Sequence, residues 1–222
     1  MFNNCNEYTN GEYFFIEKIK ERLNVIFDVG CRKDSLFSNI ESTIHYFEPN
    51  ISFYEFIKNM TNKNKKSFYN CFGLGDKNED LIYYERYQSF INREKTCGPD
   101  NNTKIFSIKK AYDYIIENDI NEVNFLKIDV EGYEFNVVKG FEEKIDNVEI
   151  IQFEYGGTYK DANIKLVDII DYLSKYFYNF YYLDSTKIVP IENYSDHYQY
   201  SNIICFNKNI EKLDLPKKYN LL

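Results

Sequence analysis

The chain has 222 residues, of which 44% are hydrophobic and 28% are charged. This length and this hydrophobic content predict one packed domain and exclude a disordered or fibrous protein. The sequence has no run of about 18 apolar residues and no apolar signal segment at its start, so we expect no membrane insertion.

The net charge and the spacing of the cysteines limit which binding partners and which cellular compartment are expected. Asp and Glu number 35 against 27 Lys and Arg, and the resulting net charge of -8 repels nucleic acid. The five cysteines are widely spaced and form no Cys-x-x-Cys pair, so neither a zinc site nor a disulfide framework is predicted. Free thiols indicate a reducing, cytoplasmic location.

The apolar periodicity alternates between helices and strands along the chain. The predicted helices cover, in order, 11–22, 51–60, 109–118, 131–139 and 164–176. The predicted strands cover, in order, 24–30, 44–49, 67–74, 123–130, 148–154, 177–183 and 201–206. Repeated strand–helix units of this kind predict an α/β fold, with a mostly parallel seven-stranded sheet and helices on both faces.

Two segments lie outside this alternation. Residues 1–22 form a predicted N-terminal helical extension. Residues 80–108 contain two extended stretches and a loop rich in Gly, Pro and Asn, and we interpret them as a β insertion and a candidate substrate lid. No domain-scale linker is visible, so residues 1–222 are assigned to a single domain.

Carboxylates follow the predicted strands at the end where parallel sheets bind their ligands. Asp28, Glu48, Asp129 and Glu154 lie at strand ends, and Asp76 lies just past another one. Acidic residues form strands poorly, and ligands of such sheets bind beyond the carboxyl ends of the strands. An Asp or Glu at this place can also cap the following helix. We interpret the five together as the lining of one crevice.

The first strand leads into a turn that suits a small anion. Gly30 allows a sharp turn, and the helix after it would present free N–H groups to a carboxylate. The turn lacks the Gly-x-Gly-x-x-Gly pattern of a diphosphate cradle. Glu48, one strand over, lies where an acid takes ribose hydroxyl groups. A nucleoside joined to an amino acid is S-adenosylmethionine, which is therefore the predicted cofactor.

Five stretches of sequence form a recognisable set: 24–30 (NVIFDVG), 46–50 (YFEPN), 125–134 (FLKIDVEGYE), 137–140 (VVKG) and 150–154 (IIQFE). The set resembles the FkbM-type methyltransferases, over about residues 24–206. The resemblance implies a Rossmann-like class I methyltransferase fold. It also implies methyl transfer from S-adenosylmethionine to a hydroxyl of a sugar or small metabolite.

The resemblance also implies roles for individual residues. Asp28 and Gly30 would hold the methionine end of the cofactor, Glu48 its ribose, and Asp76 would lie on the adenine side. The predicted cofactor-binding set is Asp28, Gly30, Cys31, Ser35, Glu48 and Asp76.

The predicted catalytic set comprises the groups that would contact the acceptor hydroxyl or accept its proton. It consists of Asp129, Glu131, Glu154 and His197. His197 lies in a polar, aromatic loop and is either a base or a plain loop residue. Lys127 is expected to form an ion pair with Glu131, Glu134 or Glu154, and Glu134 otherwise lies on a solvated helix face. No metal site is predicted, although the carboxylates could alternatively bind Mg²⁺ to acidify the hydroxyl.

Two other functions stay open. The family usually has small residues and a second glycine after the first strand, whereas this chain has the bulkier run 31–35 (CRKDS). A binding protein that has lost catalysis would tolerate that change. An RNA ribose 2′-O-methyltransferase is disfavoured by the net charge of -8 and by the absence of a Lys-Asp-Lys-Glu tetrad.

Overall fold

Strands and helices alternate in the computed structural model, which describes residues 4–33 and 35–222, apart from the side chains of 211–213. Residues 1–3 of the predicted N-terminal extension therefore lie outside the described part. The strands are β1 (Val25–Val29), β2 (Thr43–Phe47), β3 (Lys66–Asn70), β4 (Gly73–Gly75), β5 (Glu79–Tyr84), β6 (Thr103–Lys110), β7 (Val123–Ile128), β8 (Val148–Tyr155), β9 (Phe177–Asp184), β10 (Lys187–Pro190) and β11 (Ser201–Asn207). The α-helices are α1 (Glu12–Ile19), α2 (Ile51–Asn59), α3 (Glu94–Cys97), α4 (Ala111–Glu117), α5 (Glu134–Gly140), α6 (Gly157–Asp161), α7 (Leu166–Leu173) and α8 (Leu215–Lys218).

Eight of the described strands form one sheet, in the order β10-β9-β11-β8-β7-β1-β2-β3. β3, β2, β1, β7 and β8 are parallel, and β11 runs antiparallel between β8 and β9. The predicted α/β class with a mostly parallel sheet is confirmed. The predicted count of seven strands is wrong by one, because β10 adds an antiparallel edge strand beside β9. The four residues of β10 end at Pro190, and a run this short shows no readable period.

The predicted strand 67–74 proves to be two strands in two sheets. β3 ends at Asn70, and β4 begins at Gly73 after a turn. β4 pairs with β6, and β6 pairs with β5, which gives a second sheet of three strands. A Cβ at Gly73 or Gly75 would lie 2.7 Å from the side chain of Ile108, so glycine permits this close packing. The second sheet contains part of the predicted insertion 80–108.

The helices are shorter than the apolar periodicity predicts. α5 begins at Glu134 instead of residue 131, because Glu131 and Gly132 have positive φ values of 55° and 103°. α1 ends at Ile19 and continues as a 3-10 turn, Lys20–Arg22. None of the described helices is long and apolar enough to cross a lipid bilayer.

The core consists of two apolar layers, one on each face of the large sheet. On one face Phe15 of α1 packs against Phe125 and Phe206, with ring centroids 6.1 and 6.4 Å apart. On the other face Phe27 packs against Tyr114 of α4 and Phe141. Burying one such aromatic side chain contributes roughly 1.5–3 kcal/mol. Both layers together hold β1 and β7 rigidly side by side.

The chain order reverses at β1. From β1 the sheet continues through β2 to β3 on one side, and through β7 to β8 on the other. In an open α/β sheet, this reversal leaves a crevice beyond the carboxyl ends of the two central strands. Those ends are occupied by Gly30 and Asp129.

Candidate active site

The crevice begins at a close joint between β1 and β7. The Asp129 N–H donates to the Val29 carbonyl at 3.0 Å, and the Gly30 N–H donates to the Phe47 carbonyl at 2.9 Å. Gly30 has a φ of 85°, and a Cβ at this position would lie 1.9 Å from the Asp129 carbonyl oxygen. The glycine is thus required by the close packing of the two strand ends, in addition to the sharp turn predicted from the sequence.

A cavity of about 620 Å³ opens beyond β1, β7 and β8, and we call it the acidic cavity. Its volume lies within the range of small-molecule sites. The charged residues that line it are Glu7, Glu12, Arg32, Lys33, Lys127, Asp129, Glu131 and Glu154. Acids outnumber bases, so the acidic cavity suits a cationic group or a ligand that donates hydroxyl hydrogen bonds.

Lys127 sits at the floor of the acidic cavity between two carboxylates. Its Nζ lies 3.1 Å from Oδ2 of Asp129 and 3.9 Å from Oε1 of Glu12. Burial alone would lower the pKa of Lys127, but the charges of Asp129 and Glu12 raise it well above the ordinary value. The ion pair predicted for Lys127 therefore exists, but its expected partners were wrong. A charged Lys127 fixes the Asp129 carboxylate at the cavity wall.

Asp129, Glu131 and Glu154 converge on one point. One oxygen of each carboxyl group lies within 4.8 Å of the others. Burial and the charges of Asp129 and Glu131 raise the pKa of Glu154 well above its ordinary value. Burial works against ionisation of Asp129 too, but Lys127 and a hydrogen bond with Glu154 outweigh it and lower the pKa of Asp129. The surroundings thus favour the protonated form of Glu154 and the ionised form of Asp129.

Glu131 reaches the cavity from a left-handed turn. A non-glycine residue at φ 55° costs about 1–3 kcal/mol, and such strain persists only where the surroundings impose it. The Ser89 hydroxyl donates to the Glu131 carbonyl at 2.7 Å. The Glu134 carboxylate accepts from the backbone amides of Val130 at 3.0 Å and Gly132 at 3.0 and 3.2 Å. Glu134 is thus buried, which corrects the reading of a solvated helix face.

Burial and the neighbouring charges set the pKa of Glu131. Burial and the charge of Asp129 raise its pKa, while Arg32 and Arg93 act in the opposite direction. Lys127 thus favours the ionised form of Asp129, whereas burial raises the pKa of both Glu131 and Glu154. Sequence reasoning grouped these carboxyl groups together but could not separate their protonation states.

An apolar cleft of about 40 Å³ adjoins the acidic cavity on the β2 side. Its apolar lining is Val29, Phe47, Pro49, Leu74, Tyr83, Phe90, Val130 and Tyr133. Three acids also line it, namely Glu48, Asp129 and Glu131. The two oxygens of Glu48 accept from the backbone amides of Arg32 at 2.9 Å and Asn50 at 2.8 Å. Burial raises the pKa of Glu48 to about 7, against these hydrogen bonds.

Comparison with known proteins decides the family. The profile of the methyltransferase FkbM domain matches residues 28–180. The chain belongs to the FkbM methyltransferase family. It is therefore an S-adenosylmethionine-dependent methyltransferase, and the predicted family is confirmed.

Structural neighbours are distant methyltransferases. The chain is similar to the tRNA (m1A58) methyltransferase TrmI from Aquifex aeolicus, with 12% identity, a TM-score of 0.41, and coverage of 93% of this chain and 72% of TrmI. It is also similar to precorrin-6y C5,15-methyltransferase from Geobacter metallireducens GS-15, with 14% identity, a TM-score of 0.40, and coverage of 92% and 94%. A comparison with curated protein sequences gave no match.

The residues of this FkbM methyltransferase fit S-adenosylmethionine in chemistry. Glu48 is buried beside a cleft whose apolar lining matches the polarity of adenine, and the acids of the acidic cavity match the cationic amino group of the methionine end. The cleft has room for about one water molecule, so an adenine ring requires it to widen. The Arg32 guanidinium donates to the Gln88 side chain, and both residues line the acidic cavity and the apolar cleft. Arg32 and Gln88 thus lie at the boundary between the two compartments.

Three of the predicted cofactor-binding residues, Asp28, Cys31 and Ser35, are buried. Asp28 is 1% exposed and accepts from the Ser35 hydroxyl at 2.5 Å. Burial raises the pKa of Asp28 to about 6, although Lys127 and Ser35 favour its ionised form. The Cys31 thiol lies 3.8 Å from the Phe47 carbonyl, and burial raises its pKa, so it is unreactive. Of the three, Cys31 lines the acidic cavity, and the turn they form positions Gly30 and Arg32.

Two predicted site residues lie away from both compartments. The Asp76 carboxylate accepts from Asn136 at 3.2 Å and lies 3.2 Å from Lys139 Nζ on α5. His197 packs on Tyr155, with ring centroids 5.0 Å apart, and its Nε2 lies 3.0 Å from the Tyr182 hydroxyl. Neither residue lines the acidic cavity or the apolar cleft. The cofactor contact of Asp76 and the catalytic role of His197 therefore stay predictions from the sequence.

The N-terminal segment contributes residues that the sequence analysis missed. Glu12 is 6% exposed and accepts from Gln152 at 2.6 Å and from Asn10 at 2.7 Å. Residues 5–8 line the acidic cavity from above. Glu12 and Gln152 are 140 positions apart in sequence, so only the tertiary fold brings this acid to Lys127.

Proposed function

We propose that this enzyme methylates a hydroxyl group of a sugar or small metabolite bound in the acidic cavity. The observation that supports the proposal is the carboxyl trio of Asp129, Glu131 and Glu154, which opens on a cavity of small-molecule size. Carboxylates accept hydrogen bonds from hydroxyl groups and orient them. An alcohol must lose its proton during methyl transfer, and the trio offers a base for that step.

Different residues of the chain would bind different parts of S-adenosylmethionine. S-adenosylmethionine, when bound, supplies an electrophilic methyl group on a positively charged sulfur. Glu48 would hold the ribose, and the acids of the cavity would favour the cationic end. Arg32 and Lys33 offer a positive counterpart for the cofactor carboxylate at the same wall.

The three carboxyl groups have distinct roles in the proposal. Asp129, kept ionised by Lys127, accepts a hydrogen bond from the acceptor or the donor. Glu131, whose pKa is raised, takes the proton from the acceptor hydroxyl. Glu154 keeps its own proton and orients Asp129. General-base catalysis of this type contributes about 10²–10⁴-fold.

Alternatively, the carboxyl groups of Asp129, Glu131 and Glu154 could bind a divalent cation that acidifies the acceptor hydroxyl. Lys127 already pairs with Asp129 and favours its ionised form, so we expect transfer to proceed without an added metal ion. Assays in the presence of EDTA, with and without excess Mg²⁺, test this expectation. Activity that is abolished by EDTA and restored by Mg²⁺ would contradict it.

The test of the proposed function separates cofactor binding from transfer. Isothermal titration with S-adenosylhomocysteine measures binding, and tritiated methyl transfer to sugars, nucleotide sugars and an RNA oligonucleotide measures activity. We expect binding, transfer to a sugar or small hydroxyl compound, and loss of transfer in Asp129→Ala with binding retained. Exposed Asp171→Asn is the matched control. Transfer to RNA alone would overturn the acceptor class, and the absence of cofactor binding would overturn the enzyme assignment.

A further inference from the structure

A second cavity borders the acidic cavity on the side of α1. Its volume is about 680 Å³, and we call it the outer cavity. The two cavities share Glu7 and Tyr8, so the N-terminal segment separates them. The other residues that line the outer cavity are Tyr13, Glu17, Ser35, Leu36, Ser38, Asn39, Ile40, Met60 and Lys63. No step of the proposed methyl transfer uses this space.

Two aromatic rings stand exposed at the boundary. Tyr8 is 68% exposed and Tyr13 is 44% exposed, and their ring centroids are 5.3 Å apart. The chain has 22 tyrosines, yet among the described residues only Tyr194 is comparably exposed. Adjacent exposed rings leave apolar surface in water, which a ligand with an apolar face would cover.

The turn that carries Tyr8 is fixed by the fold. The Asn6 side chain accepts from the Tyr8 N–H at 3.0 Å, and the Asn6 carbonyl accepts from the Asn10 N–H at 2.8 Å. Gly11 has a φ of 99°, and a Cβ there would lie 2.1 Å from the Asp184 carbonyl oxygen. The Tyr13 N–H also donates to the Glu7 carbonyl at 3.0 Å, which joins the turn to α1. Because these contacts hold the turn, the tyrosine pair is in place before a ligand arrives, which lowers the cost of binding.

The polar groups around the rings match a neutral ligand with many hydroxyl groups. The carboxylates of Glu7 and Glu17 can accept hydroxyl hydrogen bonds, and Glu17 also forms an ion pair with Lys20 at 2.8 Å. Ser38 and Asn39 can both donate and accept such bonds. Lys63 is the only basic residue that lines the outer cavity among the described residues. A polyphosphate ligand such as RNA would meet two acids and one base here, whereas a pyranose presents a C–H face to the rings and hydroxyl groups to the rim.

We infer that the outer cavity and the Tyr8–Tyr13 pair bind the flanking sugar units of an oligosaccharide, whose methylated unit lies in the acidic cavity. This inference rests on the proposed function and deepens it, because it assigns the acceptor to a saccharide longer than one unit. The shared wall at Glu7 and Tyr8 places consecutive sugar units in adjacent cavities.

The test compares acceptors of increasing length. Initial rates of tritiated methyl transfer are measured on a library of one- to four-unit oligosaccharides, with the wild type, Tyr8→Ala, Tyr13→Ala and Tyr8→Phe. We expect each alanine variant to raise KM for three- and four-unit acceptors by about tenfold. Tyr13 lines only the outer cavity, so Tyr13→Ala should leave kcat and the single-unit KM nearly unchanged. Tyr8→Phe keeps the ring and should behave as wild type. Tyr194→Ala, at 42% exposure, is the matched control.

The possible results distinguish this inference from the proposed function. Transfer to saccharides with no dependence on length, or with unchanged KM in both alanine variants, overturns the inference and leaves the proposed function intact. Transfer to none of the saccharides, while S-adenosylhomocysteine still binds, also overturns the inference, and it restricts the proposed function to a small-metabolite acceptor. A rise in KM for long acceptors that Tyr194→Ala reproduces equally would also overturn the inference, because the effect would not be local.

Discussion

The Glu134 carboxylate accepts the backbone N–H of Gly132 with both of its oxygens, at 3.0 and 3.2 Å. One of these oxygens also accepts the Val130 N–H at 3.0 Å. A side chain at the first residue of α5 thus holds the left-handed turn that carries Glu131 into the acidic cavity. In the Glu-Gly-Tyr-Glu sequence, the second acid, Glu134, therefore keeps the first acid, Glu131, in its position.

Replacing Glu134 with alanine should destabilise the left-handed turn at Glu131 and Gly132, because the turn loses its hydrogen-bond acceptor. In Glu134→Ala, the buried amides of Val130 and Gly132 lose their partner, which costs about 1–3 kcal/mol each. We therefore expect urea denaturation to show a loss of about 2 kcal/mol or more, together with a fall in kcat. Glu134→Gln keeps one oxygen for both amides and should retain most of the stability. Equal stability of Glu134→Ala and wild type would show that the turn is held by other contacts.

Gly30 should not tolerate a side chain. Gly30→Ala forces a Cβ to within 1.9 Å of the Asp129 carbonyl at a φ of 85°, so β1 and β7 must separate. We expect a loss of about 2 kcal/mol or more in the free energy of unfolding, and a weaker affinity for S-adenosylhomocysteine. Gly157→Ala is the control, because a Cβ there meets nothing within 4 Å. A thermal melt of Gly30→Ala that coincides with that of Gly157→Ala would contradict this account of the joint.

Much of the crevice could be predicted because parallel strands align their carboxyl ends. Glu48, Asp129 and Glu154 come together for that reason alone, and the short sequences around them also carry the family resemblance. The direction of the Asp28 side chain could not be predicted in the same way. Asp28 lies on the sheet face that α1 covers, and its hydrogen bond to Ser35 depends on how the following loop folds back.

The remaining part of the site depends on contacts between distant segments. Glu12 meets Lys127 because α1 packs on β7 and β8, and no local pattern encodes that docking. The role of Glu134 was hidden for a different reason. A predicted helix that begins at residue 131 places Glu134 on an exposed face. Because Glu131 and Gly132 have positive φ values, α5 begins only at Glu134, and the Glu134 side chain points inward.

Glu131 and Glu154 should respond differently to the same substitution. Glu131→Gln removes the proton acceptor, so kcat should fall by about 10²–10⁴-fold with little change in the affinity for S-adenosylhomocysteine. Glu154→Gln replaces a protonated acid by an amide that still donates to Asp129, so kcat should stay within about tenfold of wild type. Exposed Glu192→Gln controls for the loss of a charge. If Glu154→Gln proves as inactive as Glu131→Gln, Glu154 itself transfers the proton.

The buried carboxyl groups should make the protein less stable as the pH rises from about 6.5 to 8. Burial raises the pKa of Glu134 to about 8 and that of Glu48 to about 7, so the folded protein keeps protons that the unfolded chain has lost. Each retained proton lowers the stability by about 1.4 kcal/mol per pH unit. His45, whose pKa is lowered to about 4 by burial, acts in the opposite direction, but only below its unfolded value near 6.5.

The measurement that checks this is the free energy of unfolding in urea at several pH values in that window. We expect a fall on the order of 1–2 kcal/mol between pH 6.5 and 8, because both acids are almost fully buried and solvent screens them little. Glu134→Gln removes one of the two titrations and should flatten the profile. A wild-type stability that rises over this window would mean that Glu134 and Glu48 are already ionised in the folded protein, held in that state by the backbone amides they accept.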